Sequence, residues 1–237
     1  MKALTVDAQG LLSLQELPIP SYGACQALVK MRSCGVCSGT DMKLIHHTFK
    51  NFDTYPAILG HEGVGEVVEI GEKVENLRRG DLVLLPFLKG KIGEYTPGWG
   101  AYSEYALVGD AEAYIRCGMG PGTKQWSEGY LAQTVLGPKD RVNPVEAAMI
   151  VTFREVLSAI RRFGFQPNQN IVVLGAGPVG LCFTRFLKLL GIKTVITTDI
   201  LDEKVETALE MGADYAFNSA KCDIIHEVRT LFPDGVD

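Results

Sequence analysis

The sequence predicts an α/β protein in two parts: a mostly β region over residues 1–145, then a doubly wound α/β domain over residues 146–237. Three observations carry this expectation. Short β-rich runs broken by Gly and Pro fill the first part. Strand and helix patterns alternate in the second, as parallel βαβ units require. The first of those strands meets its helix through a glycine-rich turn, GAGPVG (175–180).

In chain order, ALVKMRS (27–33), EGVGEVVEI (62–70) and DLVLLPF (81–87) read as strands of an antiparallel, barrel-like region. YIRCGMGPGTKQWSEGYLAQTVLGPKD (114–140) is long and glycine-rich, and is expected to be an irregular loop edging the substrate cleft. PVEAAMIVTFREVLSAIRRFG (144–164) has helical periodicity and leads through FQPNQN into the strand IVVLG. The helix PVGLCFTRFLKLLG, strand TVITTD, helix DEKVETALEMG and short strand DYAFN follow. No internal repeat or low-complexity tract interrupts them.

With 237 residues, 46% of them hydrophobic, the chain can bury a substantial core. Its 23 basic and 28 acidic residues are mixed along the sequence, net charge -5, with no basic block to follow a phosphate backbone, so a nucleic-acid partner is not expected. MKALTVDAQG lacks the pattern of a signal peptide, and no apolar run approaches the roughly 20 residues of a membrane helix. A cytoplasmic protein is expected, with no membrane partner. Cysteines 25, 34, 37, 117, 182 and 222 are too sparse for a disulfide scaffold and are expected reduced.

GAGPVG fits G-x-G-x-x-G at Gly175, Gly177 and Gly180. The first glycine permits the tight turn, the second lets backbone approach a pyrophosphate, and the third allows close helix packing. Asp199 ends the next strand, about 20 residues on, where a carboxylate accepts hydrogen bonds from ribose hydroxyls and repels an extra phosphate. The expected cofactor is therefore NAD.

GHEGVGEVVEIGEKV (60–74) sets His61 beside Glu62, and SCGVCSGTD (33–41) supplies Cys34 and Cys37. Sulfur, nitrogen and oxygen donors together suit zinc. The 60–74 stretch resembles the signature of the zinc-containing alcohol dehydrogenase family, the medium-chain dehydrogenases that include alcohol, sorbitol and threonine dehydrogenases. MKALTVDAQGLLSLQELPIP, CGVC followed by TD, GDLVLLP, GWGAYSEYALV and GAGPVGL extend the resemblance over essentially the whole chain. It implies a GroES-like catalytic domain followed by a Rossmann domain, with the active site in the cleft between them. It also implies a zinc-dependent transfer of hydride between an alcohol or polyol and NAD.

Carried onto this sequence, the resemblance makes Cys37 and His61 zinc ligands and Glu62 a ligand or a nearby carboxylate. It makes Asp41 the residue that orients His61, and Thr40 or Ser38 the hydroxyl that passes the substrate proton outward. CSGTD is one residue longer than the family's usual element, so either Cys37 is the ligand on a bulged turn or Ser38 takes its place; Cys37 is preferred. The family's third ligand falls on Val151, which binds no metal, with Glu155 one helical turn later. Cys34 reads as a small buried hydrophobe and Cys117 as an inert lone thiol. His46 and His47 read as a surface turn, and His226 as structural or exposed.

No cysteine lies between Pro86 and Arg116, so one catalytic zinc is expected and no structural zinc. Three strands precede the final GVD, where the family enters its fourth, so the Rossmann domain reads as C-terminally truncated with its first half only. Two alternatives accompany the dehydrogenase reading: a zinc-free quinone or enoyl reductase of the same fold, and a short chain without catalytic activity. The partner expected is a small-molecule alcohol or polyol, and a homo-oligomer is left open.

Overall fold

The expected runs all form elements in the computed structural model, which describes residues 1–237. In chain order the first part contains β1 (Lys2–Val6), β2 (Leu12–Glu16), β3 (Gln26–Gly35), α1 (Thr40–Ile45), β4 (Ala57–Ile58), β5 (Glu62–Ile70), β6 (Asp81–Leu84), β7 (Thr96–Pro97) and β8 (Tyr105–Gly109). There follow α2 (Ala111–Arg116), α3 (Gly129–Ala132), β9 (Thr134–Pro138), α4 (Pro144–Ala147) and α5 (Met149–Phe163). The strands make two sheets, β2-β1-β4-β7 and β8-β3-β5-β6-β9. Every pairing is antiparallel except the short β4–β7 pair.

The β3–β5 pair forms the spine of the larger sheet. Its register shifts between Leu28 and Val29 and between Met31 and Ser33, and it ends with Gly35 opposite Glu62. Such irregularities bend a strand and re-aim its end. Ala27, Val29, Val67, Val83, Ala106 and Val108 then close a core against Ala3 and Ile58 of the smaller sheet. Gly63 earns its place in β5 because a Cβ there would lie 2.6 Å from Met31 Cε and 2.8 Å from the Ala101 Cβ.

Residues 114–140 depart from the expected irregular loop. They carry α3 and β9, the latter paired with β6, and continue from α2. Tyr114, Trp126 and Tyr130 bury together with Cys25. The Tyr114 and Tyr130 rings stack at 4.8 Å, and Trp126 meets both edge-on. Each such pair adds about 0.5–1.5 kcal/mol beyond its buried area. Three aromatics spaced across a glycine-rich stretch outweigh its turn composition. Cys117 is exposed and free, and the buried Cys25 thiol is pushed up to about 11, first by burial and then by Cys117 nearby. All six cysteines are free.

The chain divides into two compact units, Met1–Val151 and Thr152–Asp237. The division falls inside α5 because Ala147, Ala148 and Val151 pack on Val64, Leu82 and Leu84 of the N-terminal unit. The C-terminal unit continues with β10 (Asn170–Leu174), α6 (Pro178–Leu189), β11 (Thr194–Asp199), α7 (Asp202–Glu210), β12 (Tyr215–Asn218) and α8 (Ile224–Leu231). Its strands form a parallel sheet in the order β10-β11-β12. Val156, Ile160, Ile171, Leu187, Ile192 and Val195 close its core. The buried hydroxyls of Thr184 and Thr197 satisfy each other at 2.8 Å. At the outer edge of β10, the Asp237 N–H donates to Asn170 O at 3.0 Å. No helix is long and apolar enough to cross a membrane.

Candidate functional site

Two sites can be built from the residues upward, one in each unit. In the N-terminal unit, β3 ends at Gly35 and the chain turns through Cys37 into α1. The long CSGTD turn is absorbed as an early helical turn, in which the Asp41 N–H donates to Cys37 O at 3.0 Å. The Asp41 carboxylate returns the contact, its Oδ2 accepting the Cys37 N–H at 3.0 Å. Cys37 Sγ accepts the Thr40 N–H at 3.3 Å. Cys37 is thus held at its N–H, its carbonyl and its sulfur, at the head of a helix.

His61 arrives from the opposite direction, one residue before β5. Gly60 makes the entry with φ +94°, and a Cβ there would overlap the Tyr102 backbone nitrogen. The turn is pinned by Tyr102 N–H to Leu59 O and Ala101 N–H to Gly60 O, both 2.9 Å. The imidazole then lies with Nδ1 3.4 Å from Asp41 Oδ1 and Nε2 3.7 Å from Glu62 Oε1. Nδ1 and Oδ1 are both buried and have no other partner, so they face each other. The Trp99 ring packs against His61 with centroids 5.5 Å apart.

One donor atom each from Cys37, His61 and Glu62 lies within 4.8 Å of the others. Around a tetrahedral zinc with bonds of about 2.0–2.3 Å, neighbouring ligand atoms are separated by roughly 3.4–3.6 Å. The three side chains need only small movements to reach that spacing, and the set fits zinc in chemistry as well as in distance. With Nδ1 occupied by Asp41, Nε2 is the nitrogen offered to a metal, on the side where Glu62 stands.

The electrostatics agree with a cation site. Burial pushes the Cys37 thiol up, but N–H groups of Thr40 and Gly39, the Thr40 hydroxyl and His61 outweigh it and hold the thiol below its ordinary value. Burial also raises the Asp41 carboxyl, yet hydrogen bonds from His61, Tyr102 and the Cys37 N–H bring it below the usual carboxylate range. For His61, burial lowers the pKa and the Asp41 carboxylate raises it by more. A half-buried thiol, imidazole and carboxylate therefore stand together, with the thiol proton more easily lost to a metal than that of an ordinary cysteine.

Other residues named from the sequence fall around this cluster or away from it. Thr40 is half-buried beside Cys37, whereas Ser38 is exposed. Cys34 lies on β3, its thiol pushed up to about 12 mainly by burial. His46 and His47 are exposed after α1, His47 at φ 57°. Val151 is buried in an apolar cluster and offers no ligand. Glu155 is exposed on α5 in the C-terminal unit, as is His226 on α8. Sequence reasoning passed over Tyr102 and Trp99. Tyr102 donates towards Asp41 Oδ2 at 2.7 Å and also lies 2.9 Å from Gly35 O. A tyrosine inside a run of small residues was the available signal, since a buried phenol requires a partner.

In the C-terminal unit, Gly175 ends β10 at φ +95° and Gly177 caps α6, with Pro178 at its first turn. Nothing lies within 4 Å of a Cβ built on Gly177, which leaves open space over the helix N-terminus. Gly180 packs against the Gly175 carbonyl so closely that a Cβ would overlap it. Asp199, at the end of β11, reaches across, its Oδ2 accepting the Ala176 N–H at 2.7 Å and its Oδ1 the Leu201 N–H at 3.1 Å. The Ala176 N–H, more than any other contact, holds this carboxyl below the usual range. The three glycines and the acid named from the sequence therefore stand together.

Comparison with known proteins agrees with both halves. Residues 23–147 match the family described as Alcohol dehydrogenase GroES-like domain, and residues 178–237 match Zinc-binding dehydrogenase. An alcohol dehydrogenase of Geobacillus stearothermophilus is 31% identical over 238 residues, covering 97% of this chain and 66% of its own length. A sorbitol dehydrogenase of Bacillus subtilis is 29% identical over 244 residues, covering 100% of this chain and 67% of its own. Among solved structures, galactitol-1-phosphate dehydrogenase from Escherichia coli superposes with TM-score 0.73 at 25% identity, over 99% of this chain and 65% of that one. The chain spans about two thirds of the length of the relatives it matches.

Proposed function

The chain belongs to the zinc-containing alcohol dehydrogenase family, and from that premise we propose that it is the zinc- and NAD-binding part of an oxidoreductase that transfers hydride between an alcohol or polyol and NAD. The observation that carries the proposal is the convergence of Cys37, His61 and Glu62 donors, with His61 turned by Asp41. A catalytic zinc takes three protein ligands and keeps a fourth position open. Cys37, His61 and Glu62 supply three without help from residue 151.

When bound, zinc supplies a Lewis acid that makes an alcohol hydroxyl easier to deprotonate near neutral pH. The residues supply the rest. Asp41 fixes the ring of His61, and the N–H groups of Thr40 and Gly39 about the Cys37 sulfur favour its deprotonated form. The hydroxyl of half-buried Thr40, or of exposed Ser38, passes the substrate proton outward, taking it up as its own proton leaves to water. In the other unit, the open backbone at Gly177 takes the pyrophosphate and Asp199 the ribose hydroxyls of NAD.

Elemental analysis of the purified chain tests the reading. About one zinc per chain is expected, lost in both Cys37→Ser and His61→Ala. A chain that carries no zinc and takes none up refutes the metal chemistry and leaves the zinc-free reductase or a chain without activity.

A further inference from the structure

The metal cluster contains a contact that the zinc reading does not use. Asp41 has two carboxylate oxygens, and they face different residues. Oδ1 faces His61 Nδ1 at 3.4 Å, while Oδ2 accepts both the Cys37 N–H at 3.0 Å and the Tyr102 hydroxyl at 2.7 Å. Asp41 itself is buried. Were Oδ2 not occupied, rotation about the side chain could present either oxygen to His61, or neither. The Tyr102 hydroxyl is the one side-chain donor on Oδ2, and it comes from a separate part of the chain.

Tyr102 is also tied to the other ligand. Its N–H holds Leu59 O at 2.9 Å, the neighbouring Ala101 N–H holds Gly60 O at 2.9 Å, and Gly60 must adopt φ +94° to pass beneath it. The same residue therefore fixes the backbone that delivers His61 and the carboxylate that orients its ring. The same hydroxyl also lies 2.9 Å from Gly35 O, at the end of β3 that leads to Cys37, and shares its one proton between the two oxygens.

We propose that Tyr102 is a positioning residue for the metal centre, locking the Asp41 carboxylate so that His61 carries its proton on Nδ1 and offers Nε2 to the zinc. The inference rests on the zinc reading for its purpose, but the tautomer it specifies exists without metal. Groups one step removed from a metal ligand typically change metal affinity about 10–100-fold when removed. Tyr102→Phe keeps the ring and removes only the hydroxyl, so the low end of that range is expected.

Three measurements on the full chain decide the matter. Zinc competition against a chromophoric chelator should show roughly tenfold weaker binding in Tyr102→Phe. In an Asp41→Ala background the same change should alter affinity by less than about twofold, because the hydroxyl acts through that carboxylate. Long-range proton–nitrogen NMR of the metal-free, unmodified chain at alkaline pH, with His61 assigned from a His61→Gln variant, should show the Nδ1–H form, and Tyr102→Phe should reduce it. Unchanged affinity in Tyr102→Phe, an equal loss in the Asp41→Ala background, or an Nε2–H ring in the unmodified chain overturns the proposal. The last measurement needs no metal. Failure of the unmodified chain to bind zinc would strike the zinc reading alone, with the tautomer still deciding the role of Tyr102.

Discussion

Two glycines of one turn should respond in opposite ways to the same methyl group. At Gly180 a Cβ would overlap Gly175 O and lie 2.9 Å from Gly175 C, and both obstructing atoms are backbone. Overpacking typically costs about 1–3 kcal/mol, and with no side chain able to yield, Gly180→Ala belongs near 3 kcal/mol. At Gly177 the backbone has φ -71° and ψ 179°, ordinary for alanine, and nothing lies within 4 Å. There the gain of roughly 0.4–1 kcal/mol from a stiffer unfolded chain is offset by alanine's weaker capping, and the net change is near zero.

Urea unfolding of the C-terminal unit, with a slope of about 1.5–3 kcal/mol/M, should show a midpoint lower by roughly 1–2 M in Gly180→Ala and unmoved in Gly177→Ala. NADH fluorescence titration should show the reverse order of interest: Gly177→Ala folds normally yet binds at least about tenfold more weakly, since its methyl fills the space a pyrophosphate needs. If Gly177→Ala lowered the midpoint as much as Gly180→Ala, or Gly180→Ala did not lower it, the two glycines would not divide packing and open space in this way.

Asp110 accepts the N–H groups of Glu75, Asn76 and Ala113 at 2.9–3.0 Å and caps α2. Asp110→Ala should cost about 3 kcal/mol. Burial raises this carboxyl, but those N–H donors outweigh it and set it below the usual range. Its stabilisation is therefore present above the unfolded pKa of about 3.9 and is lost as pH falls through the lower folded value. The melting gap between the unmodified chain and Asp110→Asn should close on acidification below about pH 4; a gap that stays constant would contradict the assignment. Asp199→Asn removes the negative charge beside the proposed ribose site and should narrow the preference for NADH over NADPH expected of the unmodified chain in parallel fluorescence titrations. Equal binding of both by the unmodified chain would remove Asp199 as the discriminating residue.

The parts legible in the sequence were those governed by local rules. The glycine turn, β11 and Asp199 follow from spacing alone, because a parallel βαβ unit repeats a short-range pattern. His61 and Cys37 could be paired by donor chemistry, although 24 positions separate them and only the β3–β5 register brings them together. What escaped was non-local. Tyr102 gains its meaning from Asp41, far away in the chain, and no periodicity announces such a contact. Residues 114–140 were misread because glycine and proline dominate a local reading, while the burial of Tyr114, Trp126 and Tyr130 against Cys25 is settled by packing.

The carboxylate of Asp199 is already at work before any nucleotide arrives. By holding the Ala176 N–H at 2.7 Å it joins the end of β11 to the middle of the glycine turn, the most flexible composition in the unit. Fixing one residue's backbone costs roughly 1–2 kcal/mol in conformational entropy, and here that cost falls on folding rather than on association. The turn is thus tied down at its centre. A dinucleotide seated there, as proposed, meets a turn already ordered, and differences in affinity among nucleotides should be expressed mainly in how quickly they leave.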